Sequence, residues 1–124
     1  LSESIIEVLA NKEKWIINYF LYLLNLLKLI GYDIDYCKYG SKDYLNLETL
    51  QFENSNNPRS IKFPHQLLNR EHKINLKNAE SFFKIFEIIL QNHHLNNMNL
   101  NIPTNYLKFK KIILDFLTNN EKYN

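Results

Sequence analysis

Cysteine, glycine and arginine are nearly missing from this chain of 124 residues, which holds one Cys, two Gly and three Pro, and only two Arg among its cations. A lone Cys37 excludes an intrachain disulfide framework and a multi-cysteine zinc site. With Gly31 and Gly40 as the only glycines, a glycine-rich phosphate loop is excluded too. So little Gly and Pro argues against a loop-rich chain and favours helices. A strong charge of one sign is also lacking: the net charge is +2, too mild to imply a nucleic-acid partner by itself.

What is present suits a folded domain. Apolar residues make up 45% and charged residues 23%, close to globular averages, and 8 Phe, 8 Tyr and one Trp supply the bulk for a core. The length is that of one ordinary domain, and a chain opening on Leu1 is expected to be a fragment or a processed product. Asn occurs 19 times and Lys is almost the sole cation, a bias expected of AT-rich coding rather than of chemistry.

Helical periodicity sets the expected fold. Residues 2–10 form a short helix candidate with Ser2 or Ser4 as cap, and Asn11 can end it or cap the next. From Lys12 to Ile30 the chain is apolar almost all round. Its exceptions Lys14, Asn18, Asn25 and Lys28 recur at 4, 7 and 3, which keeps them on one narrow stripe. Gly31 stands where a left-handed cap ends such a helix. The spacing predicts this helix as the central, mostly buried one. A transmembrane helix over residues 15–34 is the rival, and Asn18, Asn25 and Lys28 weigh against it.

Residues 32–57 read as irregular, with a short extended element near 44–53 and an apolar patch after it interrupted by Pro64. Asn78 is the expected cap of a helix to about Asn92, with Glu80, Lys84, Glu87 and Gln91 outward and Phe82, Phe83, Phe86, Ile89 and Leu90 inward. Pro103 opens a last helix to about Leu117. There Ile102, Tyr106, Phe109, Ile113, Phe116 and Leu117 are expected inward, and Lys108, Lys111 and Asp115 outward. The whole predicts a single all-α domain over residues 1–124: a small helical bundle around a buried central helix, with a short irregular or β-like insertion.

Chemistry is sparse. Cys37 with His65, His72, His93 and His94 has no helical ligand spacing, so no metal or cofactor is expected. Nothing in the spacing holds a base beside Cys37 as a nucleophile, and Asp33 with Asp35 suits a turn as well as a carboxylate pair. An enzyme is therefore not expected.

The charge is uneven. Residues 1–35 sum to −2, whereas Arg59, Lys62, Arg70, Lys73 and Lys77 stand against Glu71 alone. Such a run, with Phe63 and His65 inside it, can neutralise phosphates and stack single strands, or be a solvated face with Phe63 in the core. Lys108, Lys110 and Lys111 form a second cluster with the same two readings. Beside apolar surface it also suits an acidic, hydrophobic peptide tail.

The order of these features resembles a known family. Leu1-Ser2-Glu3-Ser4 leads into a helix ending Leu26-Leu27-Lys28-Leu29-Ile30-Gly31-Tyr32. Asp33-Ile34-Asp35, Cys37 and Gly40-Ser41 follow, and Leu100-Asn101-Ile102-Pro103 opens a last helix through Leu107 and Ile113 to Leu117. Over nearly its whole length this is similar to the C-terminal helical region of the RecO family of bacterial DNA-repair proteins, which are recombination mediators. The likeness is to members without a zinc-binding cysteine set. Leu23 stands where members often carry an acid, Asp35 and Cys37 are closer than usual, and Tyr106 replaces a common arginine, with Lys108 the nearest cation.

The resemblance implies a cytoplasmic, non-enzymatic protein without a membrane anchor. Its partners would be single- and double-stranded DNA, the acidic tail of single-stranded-DNA-binding protein, and RecR, the last mainly through an N-terminal OB-fold absent from this chain. Arg59, Lys62, Arg70, Lys73 and Lys77 are the expected DNA contacts. Lys108, Lys110 and Lys111 are expected to contact DNA or the acidic tail. Two alternatives stand beside it: a structural or protein-interaction helical module without DNA binding, and a small membrane-anchored protein.

Overall fold

The computed structural model describes residues 2–32, 34, 43–54, 56–65 and 74–122, with side chains over 13–32, 34, 43–54, 56–65 and 74–120. The described chain is mostly helical and carries a small three-stranded antiparallel sheet. The first helix, α1, spans Ser2–Leu29 without interruption. The expected break at Asn11 does not occur. Asn costs only about 0.7 kcal/mol against Ala inside a helix, and no Gly or Pro lies between Ser2 and Leu29 to add to it.

Gly31 ends α1 as predicted. It adopts φ +107°, the Gly31 N–H donates to the Lys28 carbonyl at 3.1 Å, and the Tyr32 N–H reaches back to the Leu27 carbonyl at 2.9 Å. This pair of bonds is a Schellman motif. A Cβ at Gly31 would meet nothing within 4 Å, so the backbone angle alone demands glycine.

The expected insertion near 44–53 holds two strands, β1 (Tyr44–Asn46) and β2 (Phe52–Glu53). A third, β3 (Ser60–Lys62), comes from the stretch read only as an apolar patch. β1 lies between the others, with Leu45 opposite Phe52 on one side and Ile61 on the other. The β1–β2 turn is closed by Asn46, whose Oδ1 accepts the N–H groups of Glu48 and Thr49, while Leu50 takes φ +59°.

Helix α2 runs Leu76–Leu90. Its cap is Asn75 rather than Asn78: the Asn75 Oδ1 accepts the Asn78 N–H at 2.8 Å. Helical winding continues past Leu90 through a π turn, Gln91–Leu95, and a 3-10 turn, Asn96–Met98, where a plain polar connection was expected. Asn99 closes it in the left-handed region at φ +56°. The last helix, α3, spans Thr104–Lys122, five residues beyond the expected end, with Pro103 just before it accepting the Leu107 N–H.

The core is built around α2, which packs on both α1 and α3. Phe20 of α1 meets Phe82 at 4.5 Å and Phe83 edge-on at 5.3 Å; Tyr106 of α3 meets Phe86 at 5.4 Å. Ala79, Phe82, Phe83, Ile85, Phe86, Ile89 and Leu90 are all buried on this one helix. The sequence assigned that central place to α1. Among its described side chains the buried ones are Ile16, Ile17, Phe20, Leu23 and Leu27, which lie on one side of the helix. The sheet joins the core through Leu45 and Phe63 and touches the end of α2, where a ring nitrogen of His93, Nε2, lies 2.7 Å from the Leu47 carbonyl oxygen.

Candidate functional site

Two surfaces gather chemically distinctive side chains, and both involve α3. The first is a cleft of about 600 Å³ where α3 crosses α2, lined by Lys77, Glu80, Ser81, Lys84, Glu87, Ile88, Lys110 and Leu114. Lys77 comes from the first basic stretch of the sequence and Lys110 from the second, while Lys84 belongs to neither. Lys77 and Lys84 are seven residues apart, two turns of α2, so they project from one face. Lys110 is fixed: its Nζ donates to Glu87 at 2.6 Å and lies 5.9 Å from the centre of the Phe83 ring. The Tyr106 hydroxyl donates to the same Glu87 oxygen at 3.0 Å. Burial, and then the Glu87 carboxylate, push the Tyr106 hydroxyl above the ordinary tyrosine range. Glu87 thus holds Lys110 at the wall, and Lys77 and Lys84 stand exposed at the cleft.

Ile88 forms part of a second recess of about 430 Å³, with Leu47, Glu48, Arg59, Asn92 and His93. The Arg59 guanidinium sits here, donating to Glu48 at 2.9 Å with both side chains largely exposed. So Lys77 and Arg59, neighbours in one basic run, stand in separate recesses on either side of Ile88. Lys62 is exposed on β3, at the sheet edge. Arg70 and Lys73 lie outside the described residues, as do Cys37 and His72. Among the described residues no group of three or more His, Cys, Asp or Glu could hold a metal ion. None of the described helices is long and apolar enough to cross a membrane.

The lysine trio of α3 does not act as one patch. Consecutive helical positions turn by about 100°, so only Lys110 enters the cleft. Lys108 is exposed, and Lys111 pairs with Asp115 at 2.7 Å on the outer face. Such exposed pairs contribute at most about 1 kcal/mol and leave the lysine available to an anion.

No protein-family model, curated protein or solved structure matches the chain. The functional reading therefore rests on its own geometry.

The second surface is an aromatic ledge along α1. Trp15, Tyr19 and Tyr22 follow at spacings of four and three, which keeps them in one row. Trp15 and Tyr19 are nearly parallel at 5.9 Å, Tyr19 and Tyr22 follow at 6.4 Å, and Phe109 of α3 leans on Trp15 and Tyr19 at 6.3 and 5.9 Å. The row is open to solvent: Trp15 is 47% exposed, Tyr22 60%, Phe109 44% and the neighbouring Ile112 59%. The sequence reading put Trp15, Tyr19 and Phe109 in the core; Trp15 and Phe109 are open instead, while Tyr19 packs partly buried against the core. The aromatic it offered for stacking, Phe63, is instead buried at 2% exposure, because β3 carries it under Phe52. A signal was present: the row is made of Trp and Tyr, which carry polar atoms, whereas the buried row of the same helix is Ile, Phe and Leu.

Proposed function

We propose that this chain is a non-enzymatic nucleic-acid-binding module, the mostly helical domain of a RecO-like recombination mediator acting in DNA repair in the cytoplasm. One observation supports the nucleic-acid part of the reading: Lys77 and Lys84 of α2 and Lys110 of α3 line a single cleft and outnumber its two acids, Glu80 and Glu87. Cations placed to face a common groove neutralise successive phosphates, and that term is independent of base sequence. Lys84, which the sequence treated only as a solvent-facing helical residue, joins the phosphate contacts with Lys77 and Lys110. Arg59 and Lys62 extend the contact along the sheet. On the outer face of α3, Lys108 and Lys111 beside the exposed Leu107 and Ile112 offer charge and apolar surface to an acidic, hydrophobic tail such as that of single-stranded-DNA-binding protein. RecR engagement belongs to the OB-fold of the family rather than to this region.

The test is titration of the 124-residue chain with a fluorescent oligonucleotide over a range of salt concentrations. Affinity is expected to fall steeply with salt. The double variant Lys77→Glu, Lys84→Glu is expected to weaken binding and to flatten the salt dependence by about 0.7 per lost phosphate contact on a single strand. Lys110 is left alone in this variant because it also braces Glu87. Unchanged affinity in the double variant, with its helical signal intact, would remove the cleft from the DNA surface.

A further inference from the structure

We infer that the ledge formed by Trp15, Tyr19 and Tyr22 with Phe109 is a stacking surface for the bases of a single nucleic-acid strand, separate from the lysine cleft. The inference rests on the nucleic-acid reading above and adds to it a preference for unpaired over duplex strands.

Three observations carry it. Trp15, Tyr22 and Phe109 are open and Tyr19 is partly buried between them, and each ring is braced by the next, so a base arriving on the exposed rings meets side chains already in place rather than ones that must be ordered. Ring centres follow at 5.9 and 6.4 Å, wider than the ~3.4 Å rise of a strand within a duplex. Bases riding on successive rings are therefore drawn apart, which an unpaired strand permits and a duplex resists. The rim is cationic. Lys14 stands on the stripe beside the row on α1 and Lys108 one turn before Ile112 on α3, both exposed, whereas Lys28 projects from the far side of α1. Glu13 is the only acid among the described side chains of α1, and at two positions from Trp15 it projects from the opposite side of the helix. Asp115 is held by Lys111.

That charge pattern selects the occupant. A second copy docking on the same face would bring the Lys14 and Lys108 margins of both copies to one seam, like charges that oppose a symmetric contact. A polyanion with π faces satisfies rings and lysines at once.

Trp15 is the only tryptophan, so its fluorescence reports on the ledge directly. The experiment titrates the 124-residue chain with a poly(dT) strand, an abasic strand of equal length and a DNA duplex. The base-bearing strand is expected to quench Trp15 and to bind about tenfold more tightly than the abasic strand. Tyr22→Ala removes an exposed ring with little risk to folding and should shrink that difference. Trp15→Ala should abolish it, and Trp15→Phe should restore part of it. The salt-dependent affinity for the abasic strand should stay unchanged in all three. Equal affinity for base-bearing and abasic strands overturns the stacking surface while leaving the lysine cleft standing. Failure of every strand to bind overturns both. Trp15 quenching that grows with protein concentration alone, or that an acidic peptide or anionic lipid vesicle produces while poly(dT) does not, overturns the stacking surface in favour of that occupant.

Discussion

Helices α1 and α2 are both rich in large apolar residues, but the protein uses them differently. α2 buries rings towards two neighbours, with Phe82 and Phe83 against Phe20 of α1 and Phe83 and Phe86 against Tyr106 of α3. α1 has one covered side, and its other side shows Trp15, Tyr22 and Leu29 to solvent. Apolar content is therefore not burial. Burial follows from how completely each side of a helix is covered: Phe109 of α3 leans on the aromatic row of α1 and still leaves Trp15 and Tyr22 open.

The largest effect should separate the two helices by stability. Phe83→Ala removes a fully buried ring and is expected to cost about 3–5 kcal/mol in chemical denaturation. Tyr22→Ala, on the open side of α1, should stay within about 0.5 kcal/mol of the parent. A loss at Tyr22 comparable to that at Phe83 would break the distinction. Next, Gly31→Ala tests how α1 ends: a side chain at φ +107° is strained even with space around it, so a loss of about 1–3 kcal/mol is expected by thermal melting. Asn75→Ala tests how α2 begins, and loss of its cap should cost about 1 kcal/mol.

The smallest effect belongs to the sheet, where polar bonds join the ring contact of Phe52 with Phe63. The Glu53 carboxylate accepts from Asn46 at 2.8 Å, Asn57 at 2.7 Å and Ser60 at 3.0 Å. The Asn46 amide first, then the Ser60 hydroxyl and the Asn57 amide, hold Glu53 below the ordinary carboxylate range. A carboxylate lowered in the folded state stabilises it above the ordinary carboxylate pKa and loses that contribution as pH falls through the lowered value. Stability measured against pH in the acidic range should therefore decline less steeply in Glu53→Gln than in the parent protein. An identical decline would remove Glu53 from the acid response.

Local signals were legible where one residue decides the outcome. Gly31 marked the end of α1 because few other residues adopt its backbone angle. The outward spacing of Glu80, Lys84, Glu87 and Gln91 gave the inward face of α2 correctly, since Phe82, Phe83, Phe86, Ile89 and Leu90 are all buried. The cap was displaced from Asn75 to Asn78 because both ends of one capping bond are asparagines. Tertiary facts were not legible. Lys77 and Lys110 meet only because α3 folds back along α2, and Phe109 has the spacing of a core residue while its neighbours Trp15 and Tyr19 leave it half open. The third strand was hidden by its brevity: three residues ending at Lys62 show too little alternation to announce a strand.

That brevity has a consequence of its own. A sheet margin becomes a template for foreign chains when it offers a long row of unmet amide and carbonyl groups. Here both outer strands, β2 and β3, are two and three residues long, and Lys62 caps one of them. When this protein is heated or concentrated, the sheet is a poor seed for fibrils; clumping should start from the bare rings of α1, and occupying those rings should delay it.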